Sequence, residues 1–245
     1  MIKNPILLAS LISLFSFCFS FLSFDFVEAS FIDNIEIEGP PVKEIKYNSD
    51  NKYLYLSQDD NSVVIVDTMS NKIINRITTV GKNPTGIDYN PDNKLMYVTN
   101  RDDNSVSVIN YSSNLVIKNI TGVGKQSNGI IYNPDNNLIY VTNFYEGSIS
   151  VINSSFNTVI KNITDVGKNP SDIAYNTNNK LLYIINKDRA FDHVTIIDPM
   201  NGDIIEKVVI GNDARHILYN PSNHKMYITK NSSPGMLVMN TSKDG

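Results

Sequence analysis

The sequence predicts an all-β fold built from repeated four-stranded antiparallel sheets. One stretch occurs twice almost unchanged, at residues 86–100 (GIDYNPDNKLMYVTN) and 129–143 (GIIYNPDNNLIYVTN), and weaker copies begin at Glu44, Asp172 and His216. The copies share a marker tyrosine at intervals of 42 to 44 residues: Tyr47, Tyr89, Tyr132, Tyr175 and Tyr219. No stretch shows the apolar period of a helix. A period near 43 with strand-like content predicts a β-propeller of about five blades.

Residues 1–29 differ in composition from the rest and are interpreted as a signal peptide. Lys3 precedes an almost unbroken apolar run at residues 6–24, and residues 27–29 (VEA) then form a site that suits signal peptidase. An uncleaved membrane anchor is the alternative, because nineteen apolar residues can just span a bilayer. Recurrent serines in the run favour cleavage. We therefore expect an extracellular or cell-envelope protein that meets a membrane only through an uncleaved signal.

The propeller is predicted to occupy residues 30–245, and the third copy shows the expected blade. It contains four strand-like segments, at residues 129–132, 138–142, 148–152 and 158–163. The first two are joined by a turn in which Pro134 fixes φ and asparagines tolerate left-handed backbone. The third segment (SISVI) alternates polar and apolar residues, as a half-buried strand does. Residues 165–170 then cross to the next blade.

The motif at the second strand of each copy resembles a known repeat. It reads YVTN at residues 97–100 and 140–143, and degraded versions stand at residues 55–58, 183–186 and 227–230. Residues 84–93 and 105–110 supply companion segments. In these features the chain resembles the YVTN family of β-propeller repeats, found in archaeal and bacterial surface-layer and secreted proteins. The resemblance implies the propeller fold, and it implies little about activity because propellers carry many functions.

The two ends of the repeat array predict how the ring closes. The last copy has three strand-like segments, the third at residues 236–240, and the chain stops at Gly245. Residues 31–39 precede the first copy where every other copy has a fourth strand. Pairing this N-terminal strand with the C-terminal blade would leave no sheet edge unpaired. We therefore expect a closed five-bladed ring, the alternative being a shortened propeller that stays open or pairs with another chain.

Candidate site residues stand near the start of the first strand of each copy. Glu44, Gly86, Gly129, Asp172 and His216 each lie three residues before a marker tyrosine, and Arg215 precedes His216. Propeller symmetry brings these positions to one end of the central channel, so Glu44, Asp172, Arg215 and His216 are predicted to form a ligand-binding site. The alternative is a set of solvated rim residues. Only His216 offers a nitrogen ligand there, so no metal, cofactor or catalytic residue is predicted.

Six Asn-x-Ser/Thr sequons make glycosylation of an exported chain a further expectation: Asn110, Asn119, Asn153, Asn162, Asn231 and Asn240. Nearly as many are expected by chance in a chain so rich in asparagine. Asn119 and Asn162 occupy equivalent positions in successive blades.

The net charge of the chain limits the classes of partner that we expect. The net charge of −4 provides no basic stripe for nucleic acid. We expect a secreted or cell-envelope binding or structural module, resembling surface-layer proteins, that recognises protein or glycan. The alternative is a hydrolase or lyase of the lactonase type, with a metal-dependent site at the channel mouth.

Overall fold

A computed structural model of the protein describes residues 34–231 and 235–241. Contacts divide the chain into residues 1–34 and 35–245. The predicted signal peptide, residues 1–29, lies outside the described residues. Within the described part, no helix is long and apolar enough to cross a membrane.

The second unit is an all-β, five-bladed propeller, as predicted. Blades one to three contain β1 Val42–Asn48, β2 Tyr53–Gln58, β3 Ser62–Asp67, β4 Lys72–Ile77, β5 Pro84–Asn90, β6 Leu95–Asn100, β7 Ser105–Asn110, β8 Leu115–Ile120, β9 Ser127–Asn133, β10 Leu138–Asn143, β11 Ser148–Asn153 and β12 Thr158–Ile163. Blades four and five contain β13 Pro170–Asn176, β14 Leu181–Asn186, β15 Asp192–Ile197, β16 Ile204–Gly211, β17 Ala214–Asn220, β18 Lys225–Lys230 and β19 Met236–Asn240. Strands pair antiparallel with their sequence neighbours within each blade.

Asparagine side chains fix the first turn of every blade. The Oδ1 atoms of Asn48, Asn90, Asn133, Asn176 and Asn220 each accept a hydrogen bond of 2.9 Å from the backbone N–H two residues later. This Asx turn replaces backbone hydrogen bonds where the strand ends. The last turn residue before the second strand adopts left-handed backbone, with φ of 60° at Lys94 and 58° at Asn137. The repeated NPDN sequence therefore forms the turn between the first two strands of a blade.

Apolar side chains join each blade to the next. We call the side of a blade that faces its successor the leading face, and the opposite side the trailing face. Tyr55, Val63 and Ile65 on the leading face of blade one share a core with Ile87 and other trailing-face residues of blade two. Equivalent cores join blades two and three, three and four, and four and five. Burial of these cores is the main source of stability in such a chain of repeats.

The predicted closure by an N-terminal strand is wrong for the described residues. The fifth sheet contains only β17, β18 and β19 in the part of the chain that the structure describes. Residues 34–38 form no strand, and Ile35 and Ile37 instead pack beside Leu56, Val64 and Val66 on the trailing face of blade one. The reason is that the partly buried side chains of Ile35 and Ile37 can contact blade one without a backbone ladder to β19, so the apolar contact forms where the strand pairing does not. Part of this segment, residues 31–33, lies outside the description.

Candidate functional site at the channel mouth

The innermost strands β1, β5, β9, β13 and β17 surround a cavity at one end of the channel. Its volume is about 190 Å³, which is smaller than the ~300–1,000 Å³ of sites for drug-sized ligands. All four predicted site residues line it: Glu44, Asp172, Arg215 and His216. Repeat position alone thus places residues of blades one, four and five at one site.

Blades two and three contribute backbone to this cavity because they carry glycine at the equivalent position. A Cβ atom on Gly86 would lie 2.4 Å from the carbonyl oxygen of Asn128. At Gly129 the nearest atom, Cα of Asp172, would be 3.0 Å away. Contacts under about 3 Å force the neighbouring strand to move. The glycines therefore allow the inner strands to approach closely, and the charged side chains at this repeat position come from the other three blades.

Asp172 connects blades four and five. Its Oδ1 accepts a hydrogen bond of 2.9 Å from the N–H of Ile173, and its Oδ2 accepts one of 2.9 Å from the N–H of Ile217. The same Oδ2 lies 3.4 Å from Nδ1 of His216. Because three donors converge on this carboxylate, it holds the imidazole of His216 at the cavity wall.

The charges of the cavity alter two pKa values. Burial, and next the negative charge of Asp172, raise the pKa of Glu44 to about 7. The hydrogen bond from its ring to Asp172, opposed by burial, raises the pKa of His216. Near neutral pH Glu44 is therefore present in both protonation states, and its carboxyl group can either donate or accept a hydrogen bond.

The free energy of unfolding is expected to fall as the pH rises from about 4.5 through 7. Both groups bind a proton more tightly in the folded chain, and stability decreases with pH wherever the folded state holds more protons. Since one pKa unit corresponds to ~1.4 kcal/mol, the shift at Glu44, reduced by solvent screening at the cavity mouth, should contribute about 1–3 kcal/mol. Urea denaturation at a series of pH values measures this. Glu44→Gln should flatten the profile, and equal profiles for variant and wild type would contradict the raised pKa of Glu44.

Four cationic side chains also line the cavity: Lys43, Arg101, Lys187 and Arg215. Lys43 forms an ion pair of 2.6 Å with Asp59. Among the described residues, Arg101, Lys187 and Arg215 have no carboxylate within ion-pair distance. Arg101 instead stacks on the Phe144 ring, with 5.2 Å from its guanidinium carbon to the ring centroid. Arg215 donates to Nε2 of His216 at 3.1 Å and to Oδ1 of Asn231 at 3.3 Å.

Sequence reasoning did not select Arg101 or Lys187. Each directly follows the tetrapeptide at the YVTN position, at residues 97–100 and 183–186. The signal was available, because the residue after that tetrapeptide changes from copy to copy while its surroundings repeat. The second strand of the blade runs toward the channel mouth. The residue that follows this strand therefore lies at the rim of the cavity.

A second charged pair, Lys46 and Asp88, lies farther along the same strands. Nζ of Lys46 is 2.6 Å from Oδ1 of Asp88, whose side chain is 5% exposed. Oδ2 of Asp88 accepts a hydrogen bond of 2.8 Å from the backbone N–H of Tyr132. Burial lowers the pKa of Lys46, but the Asp88 carboxylate outweighs it and the net pKa is raised. This pair ties together the inner strands of the first three blades, and sequence reasoning missed it.

The cavity residues do not fit the metal-dependent alternative. No group of three or more His, Cys, Asp or Glu side chains within residues 34–231 and 235–241 is arranged to hold a metal ion. Asp172 already accepts from two backbone N–H groups and faces His216, so its oxygens are directed at protein donors.

The predicted glycosylation sites fall into two groups. Asn110 and Asn153 accept hydrogen bonds of 2.9 Å from the backbone N–H groups of Ser112 and Ser155 in Asx turns at the end of the third strand. Asn119, Asn162, Asn231 and Asn240 are exposed. Oδ1 of Asn119 accepts a hydrogen bond of 2.8 Å from the Ser107 hydroxyl. Occupancy by sugar stays a prediction.

Comparison with known proteins relates the chain to other propellers. The family model described as "Lactonase, 7-bladed beta-propeller" matches residues 32–115, which include blade one and most of blade two. The structure of Kuenenia stuttgartiensis hydrazine synthase is 25% identical, with a TM-score of 0.73 over 82% of this chain and 59% of that one. A chain in a crystal structure of the mitotic checkpoint complex is 12% identical, with a TM-score of 0.72 over 84% and 63%.

The matches differ in how much of this chain and of the matched proteins they cover. The chain spans about three fifths of the length of both solved structures that it resembles. The comparison with curated proteins finds no match. The lactonase match covers about a third of the chain and includes Glu44, but not Asp172 or His216. Together with the strand order, the comparisons establish that the chain forms a β-propeller similar to proteins of varied function.

Proposed function

We propose that the protein is an extracellular or cell-envelope binding module whose channel mouth recognises an acidic group of a protein or glycan. The observation that carries this proposal is the set of three cations, Arg101, Lys187 and Arg215, that line one small cavity without a carboxylate partner among the described residues. A cluster of cations in a chain of net charge −4 is a local feature that attracts anions to this rim.

The cavity can bind a carboxylate, sulfate or phosphate group in a defined orientation. Arg101 and Arg215 have planar guanidinium groups that donate two parallel hydrogen bonds to such anions. Glu44 in its protonated form can donate a further hydrogen bond from the cavity wall. The inner strands restrict the volume to about 190 Å³. An acidic side chain of a protein or one acidic sugar residue of a glycan fits this description, with the rest of the partner on the propeller face.

Binding should be measured on the full chain by isothermal titration calorimetry with two acidic probes, a poly-glutamate peptide and a glucuronic-acid oligosaccharide. The matched neutral probes are a poly-glutamine peptide and a glucose oligosaccharide. Because a hydrogen bond to a charged group contributes about 1.5–3 kcal/mol, Arg215→Gln should weaken binding by roughly tenfold or more. The control Lys72→Gln removes an exposed lysine from the outer strand β4 and should leave affinity unchanged. Equal binding of acidic and neutral probes would refute the proposal.

A hydrolase is the second candidate. It is favoured by the lactonase match over residues 32–115 and by the pKa of about 7 for Glu44, which suits a general acid or base. In this reading Glu44 transfers a proton to or from the reacting group, and Asp172 orients His216, 3.4 Å away, as the second group. Hydrolysis of δ-gluconolactone above the buffer rate, abolished in Glu44→Gln, would support it. Turnover that does not depend on Glu44 would exclude it.

A further inference from the structure

Two grooves lie beside the channel mouth, at the end of the propeller where the chain crosses from one blade to the next. The first groove lies over the junction of blades two and three and has a volume of about 290 Å³. The second groove lies over the junction of blades three and four and has a volume of about 560 Å³. Among the described residues that line the two grooves, Tyr145 is the one aromatic residue, and all others are polar, charged or glycine.

Shared residues connect the two grooves to the channel mouth. Arg101 lines both the channel-mouth cavity and the first groove, and Tyr145 lines both grooves. The guanidinium group of Arg101 donates a hydrogen bond of 3.2 Å to Oε1 of Gln126 and stacks on the ring of Phe144, the neighbour of Tyr145 in the chain. A ligand bound in the cavity can therefore continue past Arg101 and Tyr145 into the second groove.

Tyr145 is exposed on a loop whose backbone is fixed. Its side chain is 71% exposed. The N–H of Tyr145 donates to the carbonyl oxygen of Lys125 at 3.2 Å, and the N–H of Phe144 donates to that of Gln126 at 2.9 Å. In return, Oε2 of Glu146 accepts a hydrogen bond of 2.9 Å from the N–H of Lys125. Because three hydrogen bonds hold this loop to the crossover between blades, it is ordered before a ligand binds, which lowers the entropy cost of binding.

An exposed aromatic ring among polar side chains complements the surface of a sugar. A pyranose presents C–H groups on its face, which pack on an aromatic ring, and hydroxyl groups at its edge, which donate and accept hydrogen bonds. Amide and hydroxyl side chains flank Tyr145: Asn104 and Gln126 in the first groove, and Thr164 and Asn169 in the second. A peptide that binds in a groove usually anchors apolar side chains in apolar pockets, and the described lining of these grooves contains none. The composition therefore favours a glycan over a protein.

The charges of the second groove balance, unlike those of the channel mouth. Two carboxylates, Glu146 and Asp165, and two lysines, Lys168 and Lys207, line it. Nζ of Lys168 lies 3.3 Å from Oδ2 of Asp188, and Nζ of Lys207 donates to the backbone carbonyl oxygen of Asp165 at 2.8 Å. Because both lysines already have partners within the protein, this groove suits neutral sugars, and an acidic sugar is better placed at the channel mouth.

We propose that the partner is an acidic glycan, with its acidic sugar at the channel mouth and the neutral sugars that follow it in the two grooves, one of them stacked on Tyr145. This inference rests on the proposed function, because the channel mouth must bind the acidic group. Arg215 and the other cations of the mouth then recognise the charge, whereas Tyr145 makes affinity depend on the length of the glycan.

The test is isothermal titration calorimetry of the full chain with three probes. They are glucuronic acid, a tetrasaccharide of one terminal glucuronic acid and three glucose residues, and a glucose tetrasaccharide. Because stacking on an aromatic ring contributes about that factor, wild type should bind the acidic tetrasaccharide roughly threefold to tenfold more tightly than glucuronic acid. Tyr145→Ala should bind these two probes equally, and Tyr145→Phe should keep the difference because it keeps the ring. Arg215→Gln should weaken binding of both.

Phe156→Ala is the matched control. Phe156 is 74% exposed in the turn after β11, at the opposite end of the propeller, and this variant should keep the difference between the two acidic probes. Equal melting temperatures of the variants show that they remain folded.

The probes separate failure of this inference from failure of the proposed function. If wild type binds glucuronic acid and the acidic tetrasaccharide equally, or if the difference survives in Tyr145→Ala, this inference is overturned and the proposed function stands. A tetrapeptide of one glutamate and three glutamines that gains as much over glutamate, through Tyr145, would assign the grooves to a protein and would also overturn it. Equal binding of the acidic and the neutral tetrasaccharide would refute the proposed function itself, and this inference with it.

Discussion

Replacing Tyr97 by alanine is expected to lower the free energy of unfolding by about 3–5 kcal/mol, the cost of emptying a buried aromatic site. Tyr97 is fully buried in the core between blades two and three. Its hydroxyl donates to Oδ1 of Asn157 at 2.7 Å and accepts from Nδ2 of Asn93 at 3.0 Å. Burial raises the pKa of this hydroxyl to about 12, so it is a neutral donor at all ordinary pH values. The alanine variant loses both the packing and the link between blades.

Urea denaturation provides the measurement, with Tyr227→Ala as the matched control. Tyr227 stands at the same repeat position, and its hydroxyl accepts from Nδ2 of Asn223 at 2.7 Å. Tyr227 lacks a following blade within the described residues, so its loss should cost about 1 kcal/mol. Tyr97→Phe should recover most of the stability because it retains the ring. Equal losses at Tyr97 and Tyr227 would show that burial between blades does not stabilise the propeller.

Replacing Asp88 by alanine is expected to cost about 1–3 kcal/mol, because it removes the buried carboxylate of an ion pair whose lysine is 33% exposed and leaves a buried N–H without its acceptor. Lys46 would keep its positive charge with no carboxylate 2.6 Å away. The N–H of Tyr132 would lose its acceptor at 2.8 Å as well. Both effects loosen the inner strands of blades one, two and three at once, so the same variant should also weaken binding at the channel mouth.

Asp59→Ala is the matched control for this second variant. Asp59 forms an ion pair with Lys43 at the same 2.6 Å, but the two side chains are 42% and 39% exposed. Exposed ion pairs contribute about 0–1 kcal/mol because water solvates the charges when the pair is broken. Melting curves of the two variants therefore compare a buried with an exposed carboxylate at the same ion-pair distance. If Asp59→Ala destabilises the chain as much as Asp88→Ala, then burial is not the cause.

The site could be predicted in part. Symmetry of the repeat was enough to bring Glu44, Asp172, Arg215 and His216 together, because equivalent positions of a propeller converge on one axis. Repeat symmetry could not show that Gly86 and Gly129 allow the inner strands of neighbouring blades to approach closely, since that depends on distances between blades. Nor could it show that Arg101 and Lys187 reach the same cavity from loops. The Lys46–Asp88 ion pair could not be predicted from the sequence. The two residues occupy the same repeat position in different copies, and nothing within either copy indicates that they are in contact.

The sequence by itself determined the features that repeat: the antiparallel blade, the turns at the NPDN positions and the tyrosine of each YVTN position, which is buried in blades one to four. Each is decided by residues within one blade or by a neighbour that repeats with it. The tertiary structure alone decided what happens where the repetition ends. Ile45 and Ile87 have the same side chain and the same repeat position, yet one is 51% exposed and the other 4%. Burial depends on whether a blade lies beside the residue, which no local sequence encodes.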